Sequence, residues 1–349
     1  MITLPGLIDI HVHLRDPGQT NKEDFTTGTA AALAGGFTTV FDMPNNRKPI
    51  TTWARLQEKM IIAKKKILGD VGFYFGSLGD NLAEFTRVKP LVFGLKLYLN
   101  ITTGGFIIDK KQLLSIYKAW SSEKPILLHS EEEMVGAIID VVRKTGQRSH
   151  FCHISSRNEL SQIMKAKQEG LPVTCGVTAH HLFLTIDDAR LFGPYVQMKP
   201  SLKSRRDVDY LWTHLRDIDV IESDHAPHTL AEKESDKPPF GVPGLETTLP
   251  LLLTAVSEDK LELKEIWRLC YDNPRQLLKL PDIKETYIEV DEKEEYEIND
   301  QELQTKCGWS PFSGEKVRGR VKRVYIRGEK VYENRALVKP GWGTVLGAD

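Results

Sequence analysis

Residues 7–13, Leu7-Ile8-Asp9-Ile10-His11-Val12-His13, form the first apolar run of the chain and end in two histidines separated by one residue. An extended strand places alternate side chains on one face, so both imidazoles leave its carboxyl end in the same direction. Two neutral imidazoles side by side are a ready ligand pair for Zn²⁺. A bare H-x-H is also what two unrelated polar residues on a strand look like. The decision rests on what stands at the ends of the later strands.

Such β-rich runs recur at 37–43, 71–76, 92–99, 125–129, 149–154, 172–178 and 219–223. Helical patterns fill most of the intervals, at 22–34, 52–67, 110–119, 132–144, 158–169 and 205–215. Eight strands alternating with helices is the arithmetic of an α/β protein built as a (β/α)₈ TIM barrel. An open doubly wound sheet would alternate similarly, but no G-x-G-x-x-G follows the first strand and polar residues stand at many strand ends. Beyond about residue 285 the period shortens to two. The stretch from Val317 to Tyr332 alternates around Gly319 and Gly328, as a hairpin does. The sequence therefore predicts a barrel over residues 6–284 and a small β-rich domain made from residues 1–5 plus 285–349.

The 349 residues carry a formal net charge of −1, with no long basic run, so neither a nucleic acid nor a membrane is expected as a partner. Cys152, Cys175, Cys270 and Cys307 show no C-x-x-C spacing and no disulfide framework. With no charged leader and no long apolar segment in the sequence, a reducing, cytoplasmic location is expected.

The strand ends then supply the remaining ligands. Gly94, Lys96 and Tyr98 share one face of the fourth strand, and Phe93, Leu95, Leu97 and Leu99 the other, which turns Lys96 toward the barrel interior. An ammonium there loses its hydration. Reaction of the neutral amine with CO₂ would give a carbamate able to bridge two metals. The fifth strand ends in His129, the sixth carries His153, and the eighth leads into Asp224-His225-Ala226-Pro227-His228. Each has a plain reading as a rim polar group. Together, at the end of a barrel where catalysis is sited, they describe a two-zinc site. His11, His13 and Asp224 would hold the more buried ion, His129 and His153 the second, and carboxylated Lys96 would bridge. Such a pair lowers the pKa of a bridging water and polarises a carbonyl, while Asp224 moves the proton to the leaving nitrogen. That chemistry hydrolyses an amide, or closes one in reverse.

Several segments resemble one family. Residues 4–18 (LPGLIDIHVHLRDPG), Asp42-Met43-Pro44-Asn45, Gly94-Leu95-Lys96-Leu97-Tyr98, Asp224-His225-Ala226-Pro227-His228-Thr229, Pro243-Gly244-Leu245-Glu246-Thr247 and Trp309-Ser310-Pro311-Phe312 are similar to dihydroorotases of the amidohydrolase superfamily, above all to the dihydroorotase domain of the animal multifunctional pyrimidine-synthesis protein. The resemblance implies reversible cyclisation of N-carbamoyl-L-aspartate to L-dihydroorotate in pyrimidine synthesis. It implies that Arg15 and Asn45, assisted by His228, bind the substrate carboxylate, and an arginine fork suits a carboxylate. Lys199 and Gly244 are further substrate-binding candidates, and Thr102 and Thr103 stand in a loop that would close over substrate, with Gly104 and Gly105 as hinges. It also implies a homodimer and an association with aspartate transcarbamoylase. Two positions depart from the family: Gly176 stands where glutamate is usual, and Lys199 where animal-type domains have arginine, which costs the planar fork. Other readings are an allantoinase- or dihydropyrimidinase-like enzyme, or a non-catalytic scaffold for a transcarbamoylase.

Overall fold

The computed structural model describes residues 1–101 and 107–347, and in it parallel strands alternate with helices. After β1 (Ile2–Pro5), strands β2 (Leu7–Val12), β3 (Phe37–Asp42) and β4 (Asp70–Phe73) pair in parallel in that order. Tyr74 alone separates β4 from β5 (Phe75–Gly76). The segment changes partners there, Tyr74 N donating to Asp42 O and Phe75 N to Gly94 O. From β5 the parallel row continues through β6 (Leu95–Tyr98), β7 (Ile126–His129), β8 (Ser149–Phe151), β9 (Val173–Val177) and β10 (Val220–Ile221). Beyond β10, Val12 and His225 form a parallel bridge, and His13 N donates to His225 O at 2.8 Å.

The helices start where caps put them. The expected helix from Lys22 begins only at α1 (Phe25–Ala34), because Asp24 caps it and shares a capping box with Thr27. Thr52 caps α2 (Trp53–Lys64) and Ser156, boxed with Glu159, caps the helix Arg157–Gln168. The stretch from Lys110 opens as a tight 3₁₀ turn before the helix Leu113–Trp120. Leu95, Leu97 and Leu99 pack into the large core beneath these helices. Phe93 does not join them. It precedes β6, outside the strand's alternation, and packs with Ile8, Ile10, Tyr74 and Leu127 in a second core.

An antiparallel sheet joins the two ends of the chain in the order β1, β11 (Tyr287–Glu297), β12 (Lys316–Ile326) and β13 (Glu329–Glu333). The hairpin between the last two turns on Arg327 and Gly328, both at positive φ, as a two-residue type I′ turn requires. The segment from Gly341 to Leu346 leaves this sheet: Gly341 N donates to Ile67 O, Val71 N to Thr344 O and Leu346 N to Val71 O. No helix among the described residues is long and apolar enough to cross a membrane.

One buried cation fixes the two loops that carry Arg15 and Asn45. Lys59 of α2 stands 2.7 Å from Asp42 Oδ2 and donates to Met43 O and Asn46 Oδ1, at 2.8 and 2.9 Å. Asp42 Oδ1 in turn accepts from Leu14 N, and Asn46 Nδ2 donates to Pro17 O. Lys59→Met would strand the Asp42 carboxylate in the core without its cation. The expected loss is about 3–5 kcal/mol in urea unfolding. A loss under about 1 kcal/mol, as for an exposed ion pair, would show that the two loops do not depend on this contact.

Candidate metal and substrate site

The ends of the parallel strands converge on one buried cluster. His11 lies in β2 and His13 one residue beyond it, and Asp224 follows β10. The bridge between Val12 and His225 brings these segments together. Asp224 Oδ1 sits 3.0 Å from His13 Nε2 and 3.4 Å from His11 Nε2. These three residues offer ligand atoms within 4.8 Å of one another. His129 ends β7 and His153 follows β8, and His129 Nδ1 lies 3.1 Å from His153 Nε2. The His11 and His153 rings are 5.0 Å apart. Lys96, in β6, is wholly buried and donates to Cys152 Sγ at 3.2 Å.

Electrostatics keep these imidazoles neutral. Burial is the main cause for all four. The Lys96 charge adds to it at His11 and His129, Arg15 at His13, and His129 at His153, and every one is held well below the usual histidine range. Burial also pushes the Asp224 carboxyl up to about 8 and the Cys152 thiol up to about 12. His129 Nε2 and His153 Nδ1 are buried without a hydrogen bond. The nitrogens that do face each other, His129 Nδ1 and His153 Nε2 at 3.1 Å, bring two lone pairs into one small space, which is what a cation satisfies. This donor set of neutral imidazoles and a carboxylate fits a metal.

Arg15, His153 and Asp224 have φ values of 61°, 37° and 44°, in the left-handed region that non-glycine residues seldom occupy. Such conformations cost on the order of 1–3 kcal/mol each and gather at functional sites.

Above the cluster, Arg15, Asn45, Tyr98 and Lys199 line the pocket with Phe240 and Gly241. Asn45 Oδ1 lies 2.7 Å from His13 Nδ1, fixing that ring. Arg15 Nε donates to Pro227 O at 3.2 Å. Lys199 Nζ stands 5.3 Å from the Phe240 ring centroid. His228 packs against Arg15, its Nε2 3.2 Å from the guanidinium and 3.0 Å from Phe240 O, and its Nδ1 3.1 Å from Lys22 Nζ. Gly244 stands at the N-terminal cap of the helix Leu245–Ser257. Its N–H donates to His225 Nδ1, and a Cβ there would meet Ser223 O at 2.8 Å. Thr102 and Thr103 lie outside the described residues. Sequence reasoning passed over two residues. Tyr98 shares a strand face with Lys96, so alternation was the available signal there, whereas Glu222 lies beyond the end of β10 and is brought in by the register of β9 and β10.

Residues 2–182 match the amidohydrolase family. The chain is 44% identical to the multifunctional protein CAD of Squalus acanthias over 98% of its length, and spans only 15% of that relative. It is 37% identical to the dihydroorotase of Pyrococcus abyssi, covering 97% of this chain and 85% of the relative. Among solved structures, the inactive dihydroorotase-like domain of the Chaetomium thermophilum CAD-like multifunctional protein superposes with a TM-score of 0.84 at 26% identity, over 99% of both chains. By its family match, and by its likeness along nearly the whole length of a dihydroorotase, the chain belongs to the amidohydrolase family, in its dihydroorotase branch.

Proposed function

We propose that the chain is a zinc-dependent dihydroorotase that interconverts N-carbamoyl-L-aspartate and L-dihydroorotate in pyrimidine synthesis. The observation that carries this reading is the convergence of four neutral, buried imidazoles and Asp224 beneath a pocket walled by Arg15, Asn45 and Lys199. Two zinc ions would be held by His11, His13, His129, His153, Asp224 and Lys96, the last as its N6-carboxylate. When bound, they supply an activated water and polarise the scissile carbonyl. The cationic wall distinguishes a substrate bearing a free carboxylate from a hydantoin, which has none.

In the hydrolytic direction the water oxygen bonds to the ring carbonyl carbon and the ring C–N bond breaks. Asp224 Oδ1 takes the proton from the water and returns it to the departing nitrogen. Arg15 and Asn45 hold the substrate carboxylate, and His228 braces the guanidinium. Lys199 contributes charge at the rim. In the reverse direction Asp224 gives its proton to the departing oxygen.

The reading extends to the scaffold and the setting. The parallel strands form a closed (β/α)₈ barrel over residues 6–284, supported by the pairing across Val12 and His225, with residues 1–5 and 285–349 as its β-rich companion. Four free thiols support a cytoplasmic location. A homodimer associated with an aspartate transcarbamoylase is in keeping with a relative that is itself multifunctional.

Loss of L-dihydroorotate, followed by ultraviolet absorbance, tests the reading in protein reconstituted with zinc and bicarbonate. Turnover is expected there and none after chelation. Zinc binding without turnover would favour another cyclic amide, and neither would favour the scaffold role. Asp224→Asn should lower kcat about 10²–10⁴-fold with unchanged circular dichroism. Arg15→Lys, which keeps the charge but loses the fork, should raise KM about 10- to 100-fold while kcat changes less.

A further inference from the structure

Gly176 and Glu222 occupy one space. Strands β9 and β10 pair with Val220 opposite Gly176, and a Cβ added to Gly176 would meet Glu222 Oε1 at 2.6 Å and Cδ at 2.8 Å. The Glu222 side chain therefore fits only because residue 176 has none. Glu222 is wholly buried, and His11, His150, the backbone of His153 and the Cys152 thiol stand around its carboxylate. One oxygen accepts from His153 N. The other lies 3.3 Å from His11 Nδ1 and 3.8 Å from His150 Nε2, close enough to pair, though neither contact has the alignment of a hydrogen bond. His11 points its other nitrogen, Nε2, at Asp224.

We propose that Glu222 is the positioning residue of this metal centre, filling from β10 the space that a side chain on Gly176 of β9 would otherwise occupy. The carboxylate stands 3.3 Å from Nδ1 on one side of the His11 ring while Nε2 faces Asp224 and the cluster on the other, the placement that partners of metal-ligating histidines take. The same carboxylate fastens the backbone of His153, a residue in a strained conformation. A glutamate's carboxyl carbon stands about 2.5 Å from its own Cβ by ordinary bond geometry. One attached at position 176 would thus reach the place that the Glu222 carboxylate holds. That accounts for the departure at Gly176: the carboxylate is supplied from the neighbouring strand.

The inference rests on the metal-dependent reading above, and zinc affinity separates the two. Affinity is measured by competition with a chromophoric chelator, beside thermal unfolding of the metal-free protein. Glu222→Gln, of the same size, and Glu222→Ala should each bind zinc about 10- to 100-fold more weakly, with the unfolding midpoint of Glu222→Gln little changed. Gly176→Glu alone, crowding two carboxylates together, should lower both affinity and midpoint. The exchange variant Gly176→Glu/Glu222→Ala should recover affinity to within a few-fold of the parent. Parental affinity in both Glu222 variants, or no recovery on exchange, overturns the proposal while leaving the hydrolase reading intact. Loss of one zinc per chain at saturating metal would make Glu222 a ligand and overturn the positioning role. No zinc binding by the parent would sink both readings.

Discussion

The site depends on a backbone contact between distant parts of the chain: His13 N donates to His225 O at 2.8 Å, alongside the bridge between Val12 and His225. Without it the row of parallel strands would have two unrelated ends. With it, Asp224 meets His11 and His13 across more than two hundred residues of sequence. The strands between supply Lys96 from within β6, His129 from the end of β7 and His153 from just beyond β8. Large separations in sequence thus become distances of 3–5 Å through strand pairing alone.

Burial performs two tasks at this centre. It strips the imidazoles of protons, which leaves lone pairs for a cation, and it pushes the Asp224 carboxyl up to about 8. The cost appears in the backbone, where Arg15, His153 and Asp224 are all left-handed. Side chains deeper in the fold hold that strain in place. Lys59 clamps the loops after β2 and β3, and Glu222 grips His153 N. The surrounding structure must over-determine these conformations for them to persist.

Much of this was legible in the sequence because it is periodic. Alternation of strands and helices, the H-x-H pair and the polar residues at strand ends depend only on local spacing, and local spacing survives folding. Phe93 was misjudged because alternation was extended past the point where β6 begins. Contacts set by register between strands were not legible. Gly176 read as a missing carboxylate, since nothing local says that Val220 lies opposite it and brings Glu222 alongside. His228 belongs to a motif, but motifs carry no contacts, and its place between Arg15 and Lys22 shows only in the fold. The grip of Lys59 on Asp42, from a helix to a strand, has no sequence signature either.

The shared space between residues 176 and 222 also shapes how such a chain can change. It holds one carboxylate, carried by either strand. Moving from one arrangement to the other takes two substitutions, and each first step is poor: adding a glutamate opposite Glu222 crowds two charges into one hole, while removing Glu222 first leaves His11 and the His153 amide without their partner. Between two equivalent solutions lies a valley. A lineage that has crossed it holds its new pair together, and each of the two residues becomes the reason the other cannot revert.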